Sequence, residues 1–189
     1  MMMESFRRVL VVVSLAALAV VVMHSKSVNV VAAEDPDLQV IRDLCGRARN
    51  PDFCFSMLSS DKRSRGMNFG ELIRLAIVVS NEKGKEAKNH ILDLQKQTTD
   101  PLVKRILNYC GKQYDVGVVH DTDNALVNYN KGEYRLAAIS IGACVATVDE
   151  CASAFMSPPN PPYVMRETNE FVEKNCLVAL QLVNSITES

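Results

Sequence analysis

The sequence predicts an all-α protein: an antiparallel up-and-down four-helix bundle preceded by an N-terminal helical hairpin, with disulfides stapling the fold. Three observations favour this class. Apolar residues recur at steps of three and four along most of the chain, prolines cluster at a few points between these stretches, and six cysteines follow an N-terminal secretion signal. Cysteines in a secreted domain can form disulfides, because the compartment is oxidising.

Residues 1–33 are predicted to be a secretory signal peptide. Basic side chains precede an apolar run from Val9 to Met23, and polar residues follow it. The run is shorter than the roughly 20 residues that a membrane-spanning helix needs, so an uncleaved anchor is the less favoured alternative. Cleavage is expected after Ala33, with Ser27 as a second candidate. The mature chain is then a secreted, extracellular protein without a membrane anchor.

Removing residues 1–33 leaves 18 basic and 21 acidic residues. This slightly acidic balance argues against a nucleic-acid partner, which would need a basic face. The remaining chain, about 155 residues, suits one compact domain. A monomer is expected.

Residues 34–65 are predicted to form the helical hairpin. Asn50-Pro51-Asp52 breaks the chain between two short helices, and Asn50 or Asp52 can cap the second. A bridge between Cys45 and Cys54 would close the turn, which two helices too short to be stable alone would need. The apolar positions of the two helices are Leu38, Ile41, Leu44, Phe53, Met57 and Leu58.

Residues 66–189 are predicted to form the bundle. Its first helix begins near Asn68, and its apolar stripe comprises Phe69, Leu72, Ile73, Ala76, Ile77, Ser80, Ala87, Ile91 and Leu94. Asp100 caps the second helix and Pro101 occupies its first turn, where a missing N–H is harmless. This helix runs toward Leu126, although polar residues from Gly117 to Asn124 interrupt its apolar face. Its clear apolar positions are Val103, Ile106, Leu107, Cys110 and Tyr114.

The third bundle helix has the clearest pattern of the chain. Seven residues spaced 3-4-3-4-3-4 predict a stripe that faces a bundle core: Tyr134, Ala137, Ile141, Cys144, Val148, Cys151 and Phe155. A proline-rich connection over residues 157–162 follows. The last helix carries Val172, Cys176, Ala179, Val183 and Ile186 on one face.

The sequence does not indicate catalysis. Outside the signal peptide the histidines are His90 and His120, on different segments and without a metal-ligand or triad-like neighbourhood. His120 beside Asp121 and Asp123 would suit a metal ion, but a solvated helix end is the favoured interpretation. No phosphate-binding glycine loop, nucleophile elbow or His-Glu-x-x-His motif occurs. We therefore expect a non-enzymatic binding protein with neither cofactor nor metal.

A bundle that binds an apolar small molecule is a second interpretation. Flexible methionines and the polar interruption of the second helix could loosen a core enough to admit a ligand. The methionines concerned are Met57, Met67, Met156 and Met165. Core filling is the favoured role of these side chains.

The sequence resembles the plant invertase and pectin methylesterase inhibitors from Ile41 to Ile186. The resemblance rests on several short motifs taken together, which are Ile41-Arg42-Asp43-Leu44-Cys45, Arg49-Asn50-Pro51-Asp52-Phe53-Cys54, Thr99-Asp100-Pro101, the step from Cys110 to Tyr114, Gly132-Glu133-Tyr134, Cys151 with Phe155, and Asn175-Cys176-Leu177-Val178-Ala179-Leu180. It implies a hairpin and a four-helix bundle, with bridges Cys45–Cys54 and Cys110–Cys151.

The resemblance also implies a function in the plant cell wall. A protein of this kind lays its bundle helices over the active cleft of a pectin methylesterase in a one-to-one complex. The prolines from Pro158 to Pro162 resemble the loop of the esterase-inhibiting branch, and the Pro-Lys-Phe motif associated with invertase targeting is absent. Pectin methylesterase is therefore the favoured target, and a cell-wall or vacuolar invertase is the alternative.

The target contacts implied by the resemblance lie near the Cys110–Cys151 bridge. They are Lys112, Tyr114, Asp115, Val116, Thr147, Glu150 and Ser153. Relatives carry acidic residues at the positions of Lys112, Val116 and Ser153. If charge complementarity sets specificity, the target or its pH range differs here.

Cys144 and Cys176 lie on the apolar stripes of the last two helices and are either free thiols or a third bridge. Bridging requires Cα atoms within about 7 Å, whereas neighbouring helix axes usually lie 8–10 Å apart. Free buried thiols are the preferred expectation.

Overall fold

The structure is a computed structural model and describes residues 35–187. The predicted signal peptide lies outside these residues. Two short helices come first: α1 spans Pro36–Cys45 and α2 spans Pro51–Ser59. The Asn50 side chain caps α2 by accepting a hydrogen bond from the Phe53 N–H at 3.1 Å. The Cys45–Cys54 bridge joins the two helices with Cα atoms 5.5 Å apart, so the hairpin is closed as the resemblance implies.

Five further helices and one π-helical segment make up the bundle. They are α3 (Phe69–Gln97), α4 (Pro101–Gln113), the π segment (Tyr114–His120), α5 (Asp121–Asn130), α6 (Tyr134–Met156) and α7 (Arg166–Thr187). Helix α3 starts with a capping box between Asn68 and Glu71, and Asp100 accepts bonds from the first two free N–H groups of α4.

The bundle has four antiparallel rods. They are α3, the continuous run of α4, the π segment and α5, which we call the second rod, then α6, and α7. Helix α6 packs against α5 on one side and α7 on the other, while α3 packs against α7 and against α4 and α5. The structure is thus the predicted all-α, disulfide-stapled four-helix bundle with a hairpin in front of it. Its core includes Leu72, Ile77, Leu107, Ile141, Phe155 and Leu182, each at most 1 % exposed.

The polar interruption of the second rod does not break the helix. The π segment carries the chain from α4 into α5 without a loop. Its polar neighbours in the core are paired: Thr122 Oγ1 donates to the Val118 carbonyl at 2.6 Å, and Asn81 Nδ2 donates to Thr122 Oγ1 at 2.8 Å. Because the buried polar groups bind each other, they hold α3 against the π segment.

The predicted stripe of α6 is correct at six of its seven positions. Ala137, Ile141, Val148 and the other inner residues are buried, but Tyr134 is 37 % exposed. Tyr134 is the first residue of the helix and lies beyond the end of the core. Its ring packs against the ring of Tyr129, with the two ring centroids 5.1 Å apart. Helix α6 is also long and apolar enough to cross a membrane. Core helices of helical bundles often have the same length and composition.

The cysteines of the bundle form two bridges in the structure. Cys110–Cys151 joins α4 to α6 with Cα atoms 5.1 Å apart, as the resemblance implies. Cys144–Cys176 joins α6 to α7 with Cα atoms 6.5 Å apart. The structure therefore corrects the preference for free thiols: at this crossing the two backbones lie within the distance that a disulfide requires.

Alkylation of the denatured, unreduced protein is expected to modify no cysteine, because all six are paired in the structure. Intact-mass spectrometry before and after alkylation measures this directly. A reduced sample provides the control, in which every cysteine reacts. Two reactive thiols in the unreduced sample would contradict the third bridge.

Candidate target-binding face

The site suggested by the resemblance lies where α4 and the π segment meet α6. The Cys110–Cys151 bridge joins α4 to α6 at this surface. We call this surface the α4–α6 face and define it by Tyr109, Gln113, Val116, Thr147, Glu150 and Ser153. It is built on regular helices rather than on loops, so its side chains start from fixed backbone positions.

A hydrogen-bonded cluster spans the face. Gln113 Nε2 donates to Glu150 Oε2 at 2.8 Å and to Tyr109 Oη at 2.9 Å. Tyr109 is 42 % exposed, so its ring is available to a partner. Sequence reasoning missed Tyr109 and Gln113. The implied bridge could have indicated Tyr109. It brings Cys110 and Cys151 together, and Tyr109 and Glu150 directly precede these two cysteines.

Close packing of a glycine against a threonine forms the second part of the face. A Cβ on Gly117 would overlap Thr147 Oγ1 and would lie only 2.8 Å from Thr147 Cβ. Only glycine allows the π segment to approach α6 this closely. The preceding residue, Val116, is 63 % exposed. Ser153, one helical turn after Glu150, is also exposed.

Two of the predicted contacts lie elsewhere. The Asp115 carboxylate pairs with Lys88 Nζ of α3. Lys112 lines a shallow groove between α3 and α4, together with Leu92 and Asp115. The structure therefore brings Thr147 and Glu150 together with α4 and the π segment, and it places Lys112 and Asp115 beside α3.

Tyr114 was expected to contact the target, but its side chain is fully buried and cannot do so. Its hydroxyl donates to Asn169 Oδ1 at 2.8 Å, and Asn169 Nδ2 donates to Tyr163 Oη at 2.8 Å. Burial raises the pKa of Tyr114 above its ordinary value. Tyr114 thus anchors the π segment to α7 from inside the core.

Replacing Tyr114 with phenylalanine is expected to lower the free energy of unfolding by about 1–3 kcal/mol, because Asn169 loses its hydroxyl partner inside the core. Urea denaturation followed by circular dichroism measures the loss. Tyr109→Phe is the matched control, expected within about 0.5 kcal/mol of the wild type because Tyr109 is at the surface. Equal stabilities for the two variants would contradict the anchoring role.

His90 and His120 are both exposed. His120 Nδ1 lies 3.1 Å from Asn124 Nδ2 and 3.7 Å from Asp121 Oδ1. Within residues 35–187, no group of three His, Cys, Asp or Glu side chains is placed to hold a metal ion.

The class of protein that the fold defines is a disulfide-linked four-helix bundle with an N-terminal helical hairpin. Residues 39–182 match the family model described as plant invertase/pectin methylesterase inhibitor. The chain belongs to this family. The relatives described next are named as inhibitors, not as enzymes.

Two relatives and one solved structure illustrate the similarity. A pectinesterase inhibitor from Actinidia deliciosa is 26 % identical over 150 residues, which cover 79 % of this chain and 80 % of the relative. Pectinesterase inhibitor 2 from Arabidopsis thaliana is 22 % identical over 144 residues, covering 76 % and 82 %. The crystal structure of a mutant form of a pectin methylesterase inhibitor from Arabidopsis superposes with a TM-score of 0.64 at 15 % identity, covering 79 % of this chain and 97 % of that one. At this identity the superposition shows the fold alone.

Proposed function

We propose that this protein is a secreted inhibitor of plant pectin methylesterase that acts as a monomer in the apoplast. It binds the esterase one-to-one through the α4–α6 face, covers the active cleft and supplies no catalytic group. The relatives named as pectinesterase inhibitors support this choice of target. Regulation of pectin de-esterification in the cell wall follows from such binding.

The observation that carries the proposal is the prearranged cluster of Tyr109, Gln113 and Glu150. Tyr109 and Glu150 are exposed and Gln113 is half-buried, yet all three are already held by hydrogen bonds, on helices joined by a disulfide. A surface with little freedom to lose pays a small entropic penalty on docking. Tyrosine is a frequent anchor of protein interfaces.

Titrating the mature protein into a plant pectin methylesterase is expected to abolish esterase activity at micromolar inhibitor, in mildly acidic to neutral buffer. Size-exclusion chromatography with light scattering should give the complex a mass equal to one inhibitor plus one esterase. Parallel titrations against a cell-wall and a vacuolar invertase test the alternative target. Full esterase activity throughout the titration would sink the proposal, and selective loss of invertase activity would replace it.

A further inference from the structure

Helix α4 presents a row of positive charge. The helix carries Lys104, Arg105 and Lys112 and no acidic residue, although acidic residues outnumber basic ones in the mature chain. Lys104, Asn108 and Lys112 follow one another at four-residue steps, so they lie on one side of the helix. All three are exposed. We call these three residues the α4 row, which extends about 12 Å along the helix axis.

The cations of α4 differ from those of α3 in having no acidic partner. Each lysine of α3 pairs with a carboxylate, and these lysines are Lys83, Lys85, Lys88 and Lys96. Within residues 35–187, no ion pair involves Lys104, Arg105 or Lys112. The positive charge of α4 is therefore available to a partner outside the chain.

The acidic residues at the two ends of the α4 row are engaged elsewhere. Asp100 caps α4, and its Oδ1 accepts hydrogen bonds from the first two free N–H groups of the helix at 2.8 and 3.2 Å. The Asp115 carboxylate pairs with Lys88 of α3. An anion that approaches the row thus meets two lysines whose charges the neighbouring carboxylates leave unpaired.

A shallow groove lies between the α4 row and α3. Its volume is about 410 Å³, and Asn108, Lys112 and Leu92 are among the residues that line it. Gln95 Nε2 donates to the Leu107 carbonyl at 3.0 Å, which fixes α3 against α4 along the groove. Leu92 is 43 % exposed, and the Asn108 side chain makes no hydrogen bond to any other described residue. The groove thus offers an apolar contact and a free amide beside the cations.

A linear polyuronate suits this combination of groups. Each of its sugar units carries a carboxylate, so one chain can pair with both lysines of the row, and the second contact forms within the complex. Its hydroxyl groups can bond to the Asn108 amide, and the apolar face of a sugar ring can pack on Leu92. A folded acidic protein would instead need an apolar or aromatic anchor at the centre of its interface, and the α4 row has none.

We propose that the α4 row binds de-esterified pectin through Lys104 and Lys112. The choice of this polyanion rests on the proposed function, because a pectin methylesterase removes methyl esters and leaves carboxylates on the polymer. Methyl-esterified pectin lacks these charges and is not bound. The inhibitor is thereby retained where its target has already acted. The row and the α4–α6 face share no residue, so polymer binding is distinct from inhibition.

Calorimetric titration of the mature protein with an oligogalacturonate, in the absence of any esterase, tests the proposal. An oligomer of about ten units is long enough to span the row. Saturable binding is expected at low ionic strength. Raising the salt concentration from about 20 to about 200 mM should weaken it at least about tenfold. The fully methyl-esterified oligomer of the same length should not bind.

Variants with a matched control locate the site. Lys104→Gln is expected to weaken binding about threefold, and Lys104→Gln combined with Lys112→Gln about tenfold. Lys131→Gln is the control, because Lys131 is also an exposed lysine without an ion pair in the described part of the chain. It removes the same charge from the protein and should leave the dissociation constant unchanged. Equal weakening by Lys104→Gln and Lys131→Gln would overturn the proposal, as would equal binding of the methyl-esterified oligomer.

Inhibition assays with the same variants separate this proposal from the proposed function. Lys104→Gln should inhibit the esterase as strongly as the wild type. A protein that inhibits the esterase but does not bind the oligogalacturonate would refute polymer binding alone, and one that binds it without inhibiting would refute the proposed function alone. If Lys104→Gln weakened inhibition and left polymer binding unchanged, the α4 row would belong to the esterase interface instead.

Discussion

Val116→Arg is expected to weaken inhibition of the esterase by about 100-fold, or about 2.8 kcal/mol. Val116 is 63 % exposed on the π segment, beside the contact of Gly117 with Thr147. A long charged side chain at this position would separate the α4–α6 face from its target and bury an unpaired cation at the interface. Inhibition constants of the two proteins against the same esterase measure the effect.

Ile139→Arg is the matched control for this prediction. Ile139 is also a highly exposed aliphatic residue, 68 % accessible on α6, but it lies two helical turns before Thr147. We expect its inhibition constant to stay within about twofold of the wild type. A Val116→Arg protein that inhibits as strongly as Ile139→Arg would remove Val116 from the proposed interface.

Gly117→Ala is expected to destabilise the protein by about 1–3 kcal/mol. The added Cβ would lie 2.8 Å from Thr147 Cβ. Rotating the threonine side chain cannot relieve this overlap, because its Cβ does not move with χ1. The π segment and α6 must therefore separate, which also displaces the face. Urea unfolding measures the loss of stability, and inhibition is expected to weaken in parallel.

Gly142→Ala is the control for that substitution. Gly142 also lies inside a bundle helix, but a Cβ there meets no atom within 4 Å. Alanine is the better helix former, so this variant is expected to gain up to about 1 kcal/mol. Thr147→Ala added to Gly117→Ala should restore part of the lost stability, since it removes the overlapping Oγ1. Equal stability of the two single variants would show that the close approach carries no energetic weight.

Periodicity made most of the fold predictable from the sequence. Ala137, Ile141, Val148 and Phe155 repeat at bundle spacing and are all buried. The cap at Asp100 also lies where the residue type predicts it. Both signals are local, so one sequence is enough to find them.

In the second rod, the apolar repeat no longer predicts the helix. Its π-helical turns shift the register, so the apolar repeat breaks near Gly117 although the helix continues. Tyr114 fits the apolar repeat four residues after Cys110, and its burial follows that repeat; the expectation of a target contact came from the resemblance. Pairing of Cys144 with Cys176 depends on how closely two helices cross, a distance that neither helix encodes alone.

The three disulfides divide the described chain unequally. Two of them link α4, α6 and α7 to one another, while Cys45–Cys54 closes only a loop inside the hairpin. A proteolytic cut between α5 and α6, or in the proline-rich connection, therefore leaves the pieces covalently attached. A cut at residues 60–67 releases the hairpin, and one at residues 98–100 releases α3 together with the hairpin, since no disulfide crosses either point. Under an extracellular protease, the α4–α6 face thus belongs to the part of the molecule that survives such nicks as one covalent unit.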